Sequence, residues 1–73
     1  MGDIPAVKPK KLLKLLEKEG FFVSRQSGSH IILHKAGSSA FRVTLPMHSK
    51  DLKKKTLLSI LKQAGLSTND LAS

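Results

Sequence analysis

The chain has 73 residues, enough for one domain (1–73) with a small core and too few for a second. It contains no cysteine, which excludes disulfides and thiolate metal sites and suits a reducing cytoplasm. Thirteen Lys and Arg against five Asp and Glu give a formal net charge of +8, which favours a polyanionic partner such as RNA, although a lysine-rich solvated surface would give the same total.

Residues 1–7 show no hydrophobic periodicity, so we expect a loose lead-in, and they lack the pattern of a signal peptide. No apolar run approaches the roughly 18 residues of a bilayer span, so we expect a cytoplasmic protein without a membrane partner. The first predicted element is an amphipathic helix that begins near Pro9 and ends before Gly20. Its apolar arc consists of Leu12, Leu13, Leu15 and Leu16. Its opposite arc carries Lys10 and Lys14, which are candidates for RNA binding, although a solvated helix face would explain them equally well.

Three apolar, β-branched runs follow, over residues 21–26, 30–35 and 40–45. The Gly- and Ser-containing separators indicate hairpin turns, which predicts an antiparallel meander. Since alternate residues of a strand point to opposite faces, one face of this sheet should be apolar. The residues predicted on that face are Phe21, Val23, Ile31, Leu33, Phe41, Val43 and Leu45.

The register of the first hairpin decides which face His30 occupies. A three-residue loop over residues 27–29 places Gln26 opposite His30 and keeps the apolar residues of both strands on one face. A two-residue loop would instead place His30 on the face of Phe21 and Val23. We therefore expect the three-residue loop. The polar residues then predicted on the outer face are His30, His34, Arg42 and Thr44.

A second helix is predicted after Pro46, which ends the third strand because it has no N–H to donate. Its apolar face consists of Leu57, Leu58, Ile60, Leu61 and Ala64, and Gly65 ends it. Thr56 is the expected N-cap, because a helix extended back to Leu52 would place that leucine on the polar side.

Three lysines would occupy the turn before this cap, where positive charge opposes the helix macrodipole. A bound phosphate would relieve that conflict, although the side chains could also extend into water. The RNA-binding candidates of this turn are Lys53, Lys54 and Lys55.

The tail offers Ser67 and Asp70 as a weak capping box, so residues 67–73 are expected to form a tail or a short extra turn. The leucine faces of both helices need an apolar surface, and the sheet offers one. We therefore predict an α+β fold of order α-β-β-β-α, with two helices packed on one face of a three-stranded antiparallel sheet. This layout resembles that of double-stranded-RNA-binding domains, which read A-form shape and phosphates.

Five segments carry a closer resemblance, namely EGF at 19–21, RQSGSH at 25–30, VTLPMH at 43–48, KKKTL at 53–57 and LKQAGL at 61–66. In this order and spacing they resemble the HicA family, the small mRNA interferase toxins of HicAB toxin–antitoxin pairs. The resemblance covers about residues 10–67. It implies a ribonuclease of double-stranded-RNA-binding-domain-like fold, monomeric when free, that a HicB antitoxin holds inactive.

The resemblance also implies roles for individual residues. The functional histidine of the family lies in its Gly-Ser-His motif, which corresponds to His30. His48 matches a second histidine often found after the proline. Lys55 departs from the Gly that many relatives carry, so the turn into the second helix can differ from theirs. His34 has no family counterpart, and we expect it to face solvent.

Chemistry without a metal or cofactor agrees with this activity. The five carboxylates lie scattered along the chain, whereas a two-metal nuclease needs them clustered. RNA supplies its own nucleophile, the 2′-hydroxyl, so the enzyme needs a general base, a general acid and cations for the phosphate. His30 is the candidate base or acid. The candidates for assisting catalysis or binding the phosphate are Gly28, Ser29, His48, Lys50 and Arg42.

Two other classes of function stay open. A non-catalytic RNA-binding module would use the same basic surface, bind RNA in a salt-dependent manner and tolerate replacement of His30. A protein-interaction domain would show no RNA affinity once its acidic partner was removed.

Overall fold

The computed structural model of the chain describes residues 6–72, apart from the side chains of residues 39 and 72. Its elements are the helix α1 (Pro9–Lys18), the strands β1 (Phe21–Ser27), β2 (His30–Lys35) and β3 (Ser38–Pro46), the helix α2 (Lys54–Ala64) and a 3-10 turn (Thr68–Ala72). The strands form an antiparallel sheet in the order β1-β2-β3. The predicted α+β fold, with two helices and a three-stranded antiparallel sheet, is confirmed.

The core lies between one face of the sheet and both helices. Leu12 and Leu16 of α1 pack in the same cluster as Ile31 and Leu33 of β2, and none of the four is more than 4% exposed. The other buried members of this cluster are Val7, Phe21, Val43, Leu45, Leu52, Leu57, Ile60, Leu61 and Ala64. Two leucine-rich helix faces therefore cover the apolar face of the sheet, and the opposite face is left open.

Two residues assigned to apolar faces are more exposed than predicted. Val23 lies on the edge strand β1 and is 42% exposed, and Leu58 of α2 is 40% exposed. An edge strand has a neighbour on one side only, so a residue with the right alternation can still remain at the rim of the core.

The first hairpin corrects the predicted register. Its turn contains two residues, Gly28 and Ser29, so that Ser27 pairs with His30. A β-bulge between Val23 and Arg25 adds one residue to β1. The prediction of a three-residue loop is therefore wrong. The shorter turn shifts the pairing by one residue, and the bulge reverses this shift, so that Val23 still pairs with Leu33 as the longer loop would require. The predicted assignment of His30 to the outer face survives.

The start of α2 also differs from the prediction. The helix begins at Lys54 with Lys53 as N-cap, and no side chain caps it. Leu52 precedes the N-cap and Leu57 is the fourth helical residue; both are buried in the core. These two positions form a hydrophobic staple. Their burial, rather than a polar cap at Thr56, determines where the helix begins. Leu52 is not on the polar side of the helix, because it lies before the helix starts.

The lead-in contains a core residue. Val7 is 1% exposed, and its carbonyl accepts a 2.8 Å hydrogen bond from the Leu52 N–H. It is not part of a loose segment, while residues 1–5 of the predicted lead-in lie outside the described residues. At the other end, the Ser67 N–H donates a 2.8 Å hydrogen bond to Asp70 Oδ2 and starts the final 3-10 turn. Neither helix of residues 6–72 has the length and apolarity needed to cross a membrane.

Candidate functional site

His30 is the first residue of β2 and follows the turn Gly28-Ser29 directly. It is exposed, whereas the next residue, Ile31, is buried in the core. Strand alternation therefore directs the His30 side chain to the face that the helices leave open. Gly28 has φ of +57°, the left-handed region that a tight hairpin turn favours at its first position and that Gly adopts without steric cost.

The segment after β3 is joined to this turn through the backbone. The Met47 N–H donates a hydrogen bond to the Ser29 carbonyl. The preceding residue, Pro46, is the register partner of His30. His48 therefore follows directly on residues held against the turn, and the two predicted histidines belong to the same end of the sheet.

The ring of His48 makes a contact that indicates which of its nitrogens carries a hydrogen. Its Nδ1 lies 3.0 Å from the Lys50 carbonyl oxygen, and both residues are exposed. A carbonyl can only accept, so Nδ1 carries the hydrogen in this contact. In the neutral ring Nε2 then has no hydrogen and can accept a proton, as a general base must.

Arg42 does not join the two histidines. The register pairs it with His34, whereas Pro46 lies opposite His30. His34 is four residues along β2 from His30, which corresponds to about 13 Å of extended strand. Of the predicted auxiliary residues, Gly28, Ser29, His48 and Lys50 belong to the His30 end, and Arg42 belongs to a separate row of the outer face.

Four of the five predicted lysines lie at the helix N-termini. Lys53 is the N-cap of α2, and Lys54 and Lys55 are its first two residues. All three are exposed, and the first turn of this helix contains no acidic residue. Their positive charges add to the positive end of the helix macrodipole, so this end of α2 attracts anions.

The N-terminus of α1 repeats this arrangement. Lys8 is its N-cap, no acidic residue lies in its first turn, and Lys10 is exposed in that turn. The residues before the two N-caps, Val7 and Leu52, are joined by the backbone hydrogen bond described above. The two helix N-termini are therefore neighbours, and their lysines form one basic surface. Lys14 follows one turn further along α1.

Sequence reasoning missed Lys8 as a member of this surface, although its place before Pro9 marks an N-cap. Among residues 6–72, no group of three or more His, Asp or Glu side chains is placed to hold a metal ion. The ionisable groups at this end of the molecule include imidazoles and ammonium groups, which suit proton transfer and phosphate binding, and one exposed carboxylate, that of Asp51.

A family model described as the HicA toxin of bacterial toxin–antitoxin systems matches residues 9–66, from the first residue of α1 to just beyond α2. The match includes the turn, both histidines of the sheet end and the lysines of α2. No curated protein matches the chain.

Proposed function

The chain belongs to the HicA toxin family, and from this premise we propose that it is the toxin of a toxin–antitoxin pair that cleaves mRNA as a metal-independent endoribonuclease. The observation that supports the proposal best is the placement of His30. It stands exposed on the open face of the sheet, at the end to which His48 belongs.

In the proposed reaction two proton transfers accompany the exchange of one phosphorus–oxygen bond for another. A base removes the proton of an RNA 2′-hydroxyl, and the oxygen attacks the adjacent phosphorus. The bond from phosphorus to the 5′ oxygen breaks, and an acid protonates that oxygen. The products are a 2′,3′-cyclic phosphate and a 5′-hydroxyl. His30 performs one of these transfers, and His48 is the candidate for the other because its Nε2 can accept a proton.

The remaining residues stabilise the phosphate and hold the RNA. The Lys50 side chain and the backbone N–H groups of Gly28 and Ser29 are candidates for the reacting phosphate, whose negative charge grows in the transition state. The surface formed by the lysines of both helix N-termini would bind the flanking backbone. Its members are Lys8, Lys10, Lys53, Lys54 and Lys55, with Lys14 at its edge.

Replacement of His30 tests this proposal. His30→Ala should lower the rate of RNA cleavage about a hundred- to ten-thousand-fold, the usual contribution of general acid–base catalysis. Because the side chain is exposed, the fold and the RNA affinity should change little. The measurement is cleavage of a defined end-labelled RNA in EDTA, with analysis of the product ends.

His34→Ala is the matched control, since it removes an imidazole from the same strand and should leave the cleavage rate at saturating RNA unchanged. Cleavage by His30→Ala at nearly the wild-type rate would show that the catalytic assignment is wrong. RNA binding without any cleavage by the wild type would instead favour the non-catalytic RNA-binding module, which the basic surface alone would support.

We also propose that a HicB-like antitoxin with an acidic surface holds the toxin inactive, and that the free toxin is a monomer in the cytoplasm. The net charge of +8 supports an acidic partner. The neutralising contact would cover either His30 or the lysines at the start of α2. Protection of one of these two sites from chemical modification in the complex would distinguish the alternatives.

A further inference from the structure

A row of three different side chains crosses the outer face of the sheet. Phe22 of β1 is the register partner of His34 of β2, and His34 is the partner of Arg42 of β3. Phe22 is 48% exposed. Its ring centroid lies 6.4 Å from that of His34, with 41° between the ring planes. An aromatic ring is thus presented to solvent, with a second ring beside it and a guanidinium group on the far strand.

The charges around this row favour an anionic ligand. The three strands contain no Asp or Glu. Arg25 pairs with Ile32, the next outer-face residue of β2, so it flanks the row on the same face as Arg42. A protein surface that docks an apolar partner normally presents a larger continuous apolar patch. One exposed ring with arginines nearby on the same face instead matches an RNA strand, in which planar bases alternate with phosphates.

The row also has a fixed relation to His30. His30, Ile32 and His34 share the outer face of β2, so the row lies on the same face as His30 and about 13 Å along the strand. An RNA strand with its reacting phosphate at His30 could continue along this face to the aromatic ring. Only unpaired bases can stack on a protein ring, because those of a duplex stack on one another.

We propose that Phe22 and His34 form a stacking subsite for an unpaired RNA base, with Arg42 contacting the neighbouring phosphate. The subsite rests on the proposed function and deepens it: Phe22 is a positioning residue that gives the ribonuclease a preference for single-stranded substrate. The basic surface of the helix N-termini binds phosphates without regard to base pairing, so this preference has to come from the sheet.

The first experiment measures stacking directly. The probe is a short 2′-O-methyl oligonucleotide that contains 2-aminopurine and lacks the 2′-hydroxyl nucleophile, and the chain has no Trp or Tyr to interfere with its fluorescence. Binding to the wild type should quench the probe. Phe22→Leu keeps an apolar side chain but removes the ring. Its binding should therefore leave the probe unquenched and should raise the dissociation constant about five- to a hundredfold. Phe22→Tyr should behave as the wild type.

Two controls separate stacking from general effects. Leu58→Ala removes a hydrophobic side chain of similar exposure, 40%, from α2 and should leave probe binding unchanged. Affinity for a fully paired RNA should be the same in the wild type and in Phe22→Leu. With unmodified single-stranded RNA, Phe22→Leu should raise KM and leave kcat at saturation unchanged, since it removes binding that is equal in the ground and transition states.

The possible results distinguish this inference from the proposed function. If the wild type cleaves RNA in EDTA and Phe22→Leu retains normal affinity and quenching, the stacking subsite is refuted and the ribonuclease stands. If Phe22→Leu instead weakens only the complex with the antitoxin, the row is a protein contact and the RNA subsite is equally refuted. If the wild type neither cleaves nor binds RNA, both proposals fail.

Discussion

At the scale of single residues, Gly65 and Gly28 share a left-handed backbone conformation but differ in the packing around them. Both have positive φ, +71° at the C-cap of α2 and +57° in the first hairpin turn. A Cβ added to Gly65 would lie 3.1 Å from Cε1 of Phe41, whereas one added to Gly28 would meet no atom within 4 Å. Gly65 is therefore constrained by both backbone and packing, and Gly28 by backbone alone.

We expect Gly65→Ala to lower the free energy of unfolding by more than Gly28→Ala. Each substitution carries the left-handed backbone cost of about 1–2 kcal/mol, and only Gly65→Ala adds the displacement of the Phe41 ring. Urea unfolding of both variants measures the difference. Equal losses would mean that the ring of Phe41 moves aside without cost.

At the scale of the helix, the lysines at the N-terminus of α2 lower its stability, and we propose that they bind RNA. Its lysines face the positive end of the macrodipole, and no acidic residue lies in the first turn. Lys54→Glu should raise the free energy of unfolding by about 0.3–1 kcal/mol, because a negative charge suits this end of a helix. The same change should weaken RNA binding, since it replaces a cation of the basic surface by an anion.

Lys62→Glu is the control for this pair of effects. Lys62 lies in the last turn of α2, where a cation is favourable, so its replacement should lower stability. Chemical denaturation and RNA titration of both variants provide the measurements. A loss of stability in Lys54→Glu would contradict the electrostatic account of this terminus.

The elements themselves could be predicted from the sequence, because hydrophobic periodicity reports directly on helices and strands. Both helices, all three strands and the outer position of His30 were predicted in this way. The details that failed depend on tertiary packing. The bulge at Ser24 has no local signal, and the start of α2 follows from the burial of Leu52 and Leu57 rather than from the polar residue Thr56.

At the scale of the whole molecule, Val7 holds the two helix N-termini together. Its side chain is buried, and its carbonyl is the acceptor for Leu52. We expect Val7→Ala to lower the free energy of unfolding by about 1–3 kcal/mol, from lost apolar burial and the cavity that remains. Lys8→Ala, at the exposed neighbouring position, should stay within about 0.5 kcal/mol. Thermal and urea unfolding measure both, and a neutral Val7→Ala would show that the core can close without this residue.

The candidate site was less predictable than the fold. The position of the turn and the strand position of His30 are local in sequence and were identified from it, although the turn has two residues rather than the three predicted. The separation of Arg42 from His30 required the pairing of β2 with β3, and the row that includes Phe22 required the register of all three strands. Register depends on turn length and on bulges, and a difference of one residue in either changes it. The relative positions of residues on different strands were therefore predicted less well than those of residues on one strand.

The absence of acidic residues from the three strands has a consequence for any protein that neutralises this one. An inhibitor that covers the open face must supply all the negative charge of that contact. Before it meets its target, such an inhibitor would hold crowded carboxylates in mutual repulsion, which weakens its own folded state. Association with this basic protein would remove that repulsion, so binding would stabilise the folded state of the inhibitor.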